Sequence, residues 1–417
     1  MSKPQQAVIL CGGIGTRLKP FTNTIPKPMI LCNEKPFIWY LLSQLHDEGI
    51  DRFVLLTGYL GEKIKDYFGN GSTWGWQIVY SNGPVEWDTG RRIWEAKNLF
   101  DNYFMLLYSD NFVEFSLDRL SLAHQNSNKS LTFTVSSKTP GNVELDELGI
   151  VKKYDNCRSS NFLDYVEIGY MLVDKEKTLS FYESADCSFS LILKKMSNQQ
   201  EINSYIQHDS YYSISDPERW KNTERYLANK KILLIDRDGV INKKSLKGEY
   251  ITNWANFHWI PETRSAMKLL AKEGFKFIVI TNQAGIARQM INPNELAIIH
   301  QNMIDELLKD GIEVLDVYLC PHHWDENCNC RKPKPGMLYE ASKDWLFRLD
   351  KTVFIGDDPR DSQAAFNAGC KSAFIGDTSE LKNLLIEEMP HYKFTNLMDG
   401  VPTLLNHLNY KNHYDYN

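Results

Sequence analysis

The chain has 417 residues, of which 42% are hydrophobic, 24% charged and 12% aromatic, too long for one ordinary hydrophobic core and well supplied for two. A formal net charge of -6 excludes a nucleic-acid or anionic-membrane surface as the main partner, because those need clustered Lys and Arg, so anionic ligands must be met by local basic loops. No apolar run of about 18 residues occurs, and Met1-Ser2-Lys3-Pro4 passes directly into a short apolar stretch, so neither membrane span nor signal peptide is expected and the compartment is read as cytoplasm.

Ala7-Val8-Ile9-Leu10 reads as a buried strand that ends in Cys11-Gly12-Gly13. Phe53 to Leu56, the amphipathic stretch Glu62 to Phe68, Phe104 to Leu107 and Leu131 to Val135 continue the alternation of strand and helix. The polar stretch Ser215 to Lys230 reads as a helix with Asp216 as cap and Pro217 as first position. It carries the predicted domain boundary, giving domains 1–228 and 229–417. Lys231 to Ile235 then reads as a second buried first strand, ending in Asp236-Arg237-Asp238-Gly239, and Phe277 to Ile280, a helix over Asn294 to Lys309, Val314 to Leu319 and Val353 to Ile355 repeat the alternation. The pattern predicts an α/β protein of two doubly wound, mostly parallel sheet domains.

In the first domain, glycines directly after a strand let the backbone close on phosphate oxygens, with Arg17 and Lys27 nearby to balance charge in an in-line displacement at phosphorus. Gly12-Gly13-Ile14-Gly15-Thr16-Arg17, with Pro26-Lys27-Pro28 about ten residues on, closely resembles the sugar-phosphate nucleotidylyltransferase family. The similarity extends through Gly58-Tyr59-Leu60, Thr89-Gly90 and Tyr108-Ser109-Asp110. It implies that Gly12, Gly13, Gly15, Thr16 and Arg17 hold a nucleoside triphosphate, Arg17 and Lys27 steady its phosphates, and Asp110 binds magnesium; the alternative for Asp110 is a loop cap. Thr89 and Gly90 would meet the sugar. Three departures stand out. Asp88-Thr89-Gly90-Arg91-Arg92 adds two cations, which suggests a more anionic acceptor. Ser213 stands where the second metal carboxylate is usual, so that Asp216 would substitute only if the loop shifts. The usual Glu-Lys-Pro sugar contact is missing, leaving Glu167 in Glu167-Ile168-Gly169-Tyr170 to supply it.

In the second domain, Asp236 and Asp238 at a strand end suit a nucleophile and a general acid/base for phosphate hydrolysis, with Thr281-Asn282, Lys332 and Asp357 completing a magnesium phosphate site. Cys320-x-His322-x5-Cys328-x-Cys330 places four ligands in one loop, 320–330, which suits closed tetrahedral zinc, the alternative being a metal-free loop of buried thiols. These residues resemble the haloacid dehalogenase superfamily and, with Thr281 to Arg288, Cys320-Pro321-His322-His323 and Cys330 to Met337, the heptose 1,7-bisphosphate 7-phosphatases; the histidinol-phosphate phosphatases share much of the pattern. The resemblance implies Asp236 as nucleophile, Asp238 as acid/base, magnesium on Asp236, Asp357 and the Asp238 carbonyl, Thr281 and Lys332 on the phosphoryl group, Asn282 among the substrate-binding residues, and Arg288 and Arg331 on the rest of the substrate. It favours His322 over His323 as zinc ligand and leaves open whether Asp358 touches magnesium.

Together the resemblances imply a bifunctional enzyme of nucleotide-sugar and surface-polysaccharide synthesis, acting on a nucleoside triphosphate and a phosphorylated sugar. Heptose 1,7-bisphosphate and GTP are the expected substrates, as in heptose 1-phosphate guanylyltransferases. Alternatives are another sugar or polyol with CTP or UTP, and a catalytically inactive nucleotide-binding first domain. Homo-oligomer formation is left open.

Overall fold

The computed structural model describes residues 3–208, 210–246 and 248–408. The chain divides into two units, residues 1–228 and 229–417.

The first unit is built on strands β1 (Gln6–Cys11), β2 (Arg52–Thr57), β3 (Gln77–Asn82), β4 (Tyr103–Tyr108), β5 (Leu131–Ser137), β6 (Val143–Leu145), β7 (Val151–Tyr154), β8 (Tyr165–Asp174) and β9 (Ile202–Gln207). Their order is β7-β6-β8-β4-β1-β2-β3, with β5 beside β8 and β9 beside β5. Around β1 the sheet is parallel, because helices Phe37–Asp47, Gly61–Phe68 and Thr89–Ala96 supply the crossovers that parallel neighbours need. On the far side β8 runs antiparallel to both β4 and β5, so this sheet is mixed.

The second unit has β10 (Ile232–Ile235), β11 (Lys276–Asn282), β12 (Val314–Cys320), β13 (Val353–Gly356), β14 (Lys371–Ile375) and β15 (Tyr392–Phe394), all parallel in the order β12-β11-β10-β13-β14-β15. Side chains alternate across the sheet. Leu233, Ile235 and Val279 pack with Met267, Leu270 and Ile299 on one face, whereas Ile232, Leu234 and Ile278 pack with Leu338, Ala341 and Ala365 on the other. Two covered faces explain why the strands read as unbroken apolar runs, each such side chain contributing about 1.5–3 kcal/mol when fully buried. No helix among the described residues is long and apolar enough to cross a membrane.

Both sheets share one topological feature. From β1 the chain builds β2 and β3 on one side before crossing to β4 on the other; from β10 it builds β11 and β12 and then crosses to β13. The loops leaving the carboxyl ends of the two central strands diverge there, at the usual ligand position in an open α/β sheet.

Candidate active sites

In the first unit, Gly12, Gly13 and Gly15 carry the chain away from β1. Gly12 is demanded by close approach, since a Cβ there would stand 2.3 Å from the Arg92 guanidinium carbon. Arg92 is buried and donates to the Thr57 carbonyl at 2.7 Å and the Pro84 carbonyl at 2.6 Å. Arg91 pairs with Asp186 and Glu95 and lies over the Trp87 ring. These two arginines, expected from the sequence to be added cations for the acceptor, thus bind the scaffold together, a task that the planar donor fork of guanidinium performs well.

β4 lies beside β1 with Tyr108 opposite Leu10, which brings Ser109 and Asp110 out of the sheet next to the glycine loop. The Ser109 hydroxyl donates to the Leu10 carbonyl at 2.6 Å. Lys27, in a short turn after Pro26, reaches across so that its Nζ lies 2.6 Å from Asp110 Oδ2. Thr16 and Arg17 are exposed. Thr89 and Gly90 make internal contacts: the Thr89 hydroxyl accepts from the Phe189 N–H at 2.9 Å, and a Cβ on Gly90 would lie 2.5 Å from the Cys187 carbonyl oxygen.

A two-residue strand, Tyr212–Ser213, pairs with Asn111–Phe112, and the Ile214 N–H donates to the Asp110 carbonyl at 3.0 Å. Ser213 therefore stands beside the Asp110 segment, its hydroxyl 3.0 Å from that of Ser215. Asp216 is committed elsewhere, capping the helix Pro217–Leu227 by accepting from the Arg219 N–H at 3.0 Å. Asp110 joins no cluster of three metal-ligating groups among the described residues. Glu167 is buried and its Oε1 has no hydrogen-bond partner. Burial pushes its carboxyl up to about 7, with Gly169 N–H and Arg158 opposing and Asp110 adding to the rise.

In the second unit, Asp236 follows β10, Thr281 and Asn282 end β11, and Asp357 follows β13, so three adjacent parallel strands deliver them to one edge. Lys332 is almost wholly buried; its Nζ lies 2.9 Å from Asp236 Oδ1 and 2.7 Å from Asp361 Oδ1, and donates to the Ile280 carbonyl at 3.0 Å. Asn282 positions that lysine through a reciprocal pair, its Nδ2 donating to the Lys332 carbonyl at 3.2 Å and its Oδ1 accepting from the Lys332 N–H at 3.1 Å. Gly239, at φ 99°, is required twice over, because a Cβ there would meet Asp357 Oδ2 at 2.0 Å.

Asp236, Asp357 and Asp361 each offer an oxygen within 4.8 Å of the others. Asp357 Oδ1 is buried without a hydrogen-bond partner, and its Oδ2 is 2.6 Å from Lys244 Nζ. Burial pushes Asp236 up, as do Asp361, Asp357 and Asp238, while the Lys332 ammonium opposes them; burial likewise raises Asp357 to about 6 against Lys244. Such crowding with an unpaired oxygen fits a hard divalent cation. Asp361 was not among the residues read from the sequence. Asp358 lines the same crevice but is occupied: it caps the helix Pro359–Ala368 by accepting from the Arg360 N–H, forms a capping box with Asp361, whose Oδ2 accepts from the Asp358 N–H at 3.1 Å, and pairs with the Arg360 guanidinium.

Asp238 accepts from Arg237 Nη2 at 2.8 Å, Asn242 Nδ2 at 2.9 Å and Gln283 Nε2 at 2.9 Å. Burial raises its pKa, but Arg237 and these hydrogen bonds outweigh burial and leave it below the usual carboxylate range. The crevice is a cavity of about 520 Å³ that reaches from Asp236, Thr281 and Lys332 to Lys244, Tyr250 and Arg360. Arg288 and Arg331 do not line it. Arg288 instead donates to the Tyr250 hydroxyl at 3.2 Å and lies over the Tyr250 and Trp324 rings.

Cys320 ends β12, and Cys320, His322, Cys328 and Cys330 present their ligand atoms to one point. The sulfurs of Cys320 and Cys328 are 3.6 Å apart, those of Cys328 and Cys330 3.5 Å, and His322 Nδ1 is 3.2 Å from the Cys330 sulfur. A tetrahedron with zinc–sulfur bonds of about 2.3 Å has edges of roughly 3.8 Å, so the four groups fit that ion. His323 is bonded to Asp325 instead.

Residues 6–163 match a family model described as nucleotidyl transferase, and residues 231–380 one described as polynucleotide kinase 3 phosphatase. A D-glycero-alpha-D-manno-heptose-1,7-bisphosphate 7-phosphatase of Mycobacterium tuberculosis is 34% identical over 157 residues, covering 35% of this chain and 80% of that protein. The histidine biosynthesis bifunctional protein HisB of Campylobacter jejuni is 34% identical over 160 residues, 38% of this chain and 46% of its own length. A crystal structure of HddC from Yersinia pseudotuberculosis complexed with GMP-PN aligns with a TM-score of 0.45 and 21% identity over 52% of this chain and 96% of its own.

Proposed function

Through its second unit the chain belongs to the family of the heptose-1,7-bisphosphate 7-phosphatases, and we propose that it removes the 7-phosphate from heptose 1,7-bisphosphate and couples the remaining 1-phosphate to a nucleotide, GTP in first place. The chain carries both an enzymatic nucleotidyltransferase part and a phosphatase part. The observation that carries the reading is the meeting of Asp236, Asp357, Asp361 and Lys332 at one strand edge.

In the phosphatase step, an Asp236 oxygen attacks phosphorus while Lys332 and Thr281 hold the phosphoryl oxygens, the P–O ester bond breaks, and the leaving alkoxide takes a proton from Asp238. Water then attacks the aspartyl-phosphate and gives its proton to Asp238. The contacts of Asp238 favour its ionised form, the one this second step uses. Asp236, Asp357, Asp361 and the Asp238 carbonyl would hold magnesium, which when bound offsets charge on the phosphoryl oxygens. Zinc on Cys320, His322, Cys328 and Cys330 would fix the loop that presents Arg331 and Lys332. In the transferase step, the sugar 1-phosphate oxygen attacks the α-phosphorus and expels pyrophosphate, with Gly12, Gly13, Gly15, Thr16, Arg17 and Lys27 on the triphosphate, Asp110 on its magnesium, and Glu167 facing the sugar.

The test is incubation of the purified chain with heptose 1,7-bisphosphate and each triphosphate in turn, followed by mass analysis of the nucleotide-sugar. Formation of GDP-heptose is expected; absence of phosphate release from the bisphosphate would sink the proposal.

A further inference from the structure

A substrate with two phosphates brings an anionic group that takes no part in the reaction, and some cation of the crevice must meet it. Among the described residues, the cavity is lined by four basic side chains: Arg237, Lys244, Lys332 and Arg360. Arg237 is buried and spent on Asp238 and on His300 Nε2, 2.8 Å away. Lys332 is held by Asp236, Asp361 and a carbonyl at the reacting end. Arg360 is committed to Asp358 through Nε at 2.8 Å and Nη2 at 2.6 Å. Lys244 differs from all three. Its side chain is 45% exposed, and its ammonium pairs with Asp357 Oδ2 at 2.6 Å, a carboxylate of the cluster that fits a divalent cation. A cation with two charges on Asp357 would repel that ammonium, freeing a flexible four-carbon arm inside the cavity on the Tyr250 side.

We propose that Lys244 is the residue that reads the second, unreacting phosphate of a bisphosphate substrate, and that it rests on Asp357 until a divalent cation claims that carboxylate. Metal binding and recognition of the distal phosphate are thereby coupled through one side chain, because the ion that completes the site also releases the arm that selects its substrate. The proposal rests on the reading of this unit as a sugar-bisphosphate phosphatase.

The experiment uses the full chain and Lys244→Met, with Lys244→Arg as the conservative variant. Magnesium alone is titrated calorimetrically, and kcat/KM is measured for heptose 1,7-bisphosphate and for p-nitrophenyl phosphate, which has no second phosphate. In Lys244→Met the magnesium dissociation constant should fall about tenfold, and the ratio of the two kcat/KM values should drop about tenfold, as for loss of one charged hydrogen bond; Lys244→Arg should restore most of that ratio. A ratio unchanged in Lys244→Met overturns the proposal, whatever happens to metal affinity. If the wild-type chain hydrolyses p-nitrophenyl phosphate but not the bisphosphate, the substrate reading fails instead, and unaltered magnesium affinity in Lys244→Met would then overturn the ion pair as a metal competitor.

Discussion

At the switch point of the first sheet one carboxylate, Asp110, faces one ammonium, Lys27, at 2.6 Å. At the switch point of the second, Asp236 and Asp361 share the Lys332 ammonium at 2.9 and 2.7 Å while Asp357 adds a third carboxylate. The same position in two α/β sheets therefore holds a balanced pair in one unit and an excess of negative charge in the other. The second arrangement calls for a resident cation. On the proposed reading, the first would let magnesium arrive with the triphosphate, whose own oxygens can make up the ligand count.

The largest expected effect lies in the crowded site. On the proposed mechanism Asp236→Asn would remove both the attacking oxygen and one ligand, so phosphate release should fall by at least ~10³-fold while pyrophosphate formation persists. Assaying both activities on one preparation checks this; retained phosphatase turnover would break the comparison by placing the nucleophile elsewhere.

Next in size is a stability effect in the first unit. The Glu167 carboxyl rises from 4.5 to about 7, chiefly through burial. A raised folded-state value means that the protonated form is the one folding favours, so its contribution is whole below about 4.5 and is lost as pH climbs through about 7. That displacement corresponds to roughly 3 kcal/mol. Glu167→Gln removes the dependence, and urea unfolding at pH 5 and pH 8 should show the variant gaining on the parent at the higher pH. Equal gaps at both values would mean that Glu167 ionises as freely in the fold as outside it.

Zinc supplies a smaller test, because the loop that it would close reaches the crevice through Lys332, two residues after Cys330. Cys330→Ala should abolish stoichiometric zinc and lower phosphatase turnover by about 10–100-fold, read by metal analysis and initial rates. An unchanged rate in zinc-free protein would detach the Cys cluster from the reaction.

The sequence was most informative where chemistry sits in consecutive residues at the end of an apolar strand. Asp236, Asp238, Thr281, Lys332 and Asp357 stand out for that reason, and four parallel strands carry them or their neighbours to one edge. Asp361 did not stand out because Asp358-Pro359-Arg360-Asp361 reads as an ordinary helix start. Its carboxylate reaches Lys332 only because the helix begins where it does, and the one available signal was a second acid three residues after the cap. Arg92 misled for the opposite reason, since sequence displays a charge and conceals its burial against Gly12. Lys244 lies in a loop without motif, and only its 2.6 Å contact with Asp357 marks it.

The smallest expected effect bears most directly on the contrast between the two crevices. Ser213 pairs with Asn111, next to Asp110, and is buried with only a hydroxyl to offer. Ser213→Asp would give the first unit a second carboxylate on the strand beside the Asp110 segment, moving its balance toward that of the second. Manganese, titrated without nucleotide and followed by electron paramagnetic resonance, should then bind this unit about tenfold more tightly than in the parent, with Ser213→Asn, similar in size but uncharged, giving no gain. If the aspartate variant folds yet binds manganese no better, the Ser213 side chain does not face the ion of Asp110, and the modest charge of the first crevice must be explained by a ligand brought from elsewhere in that unit.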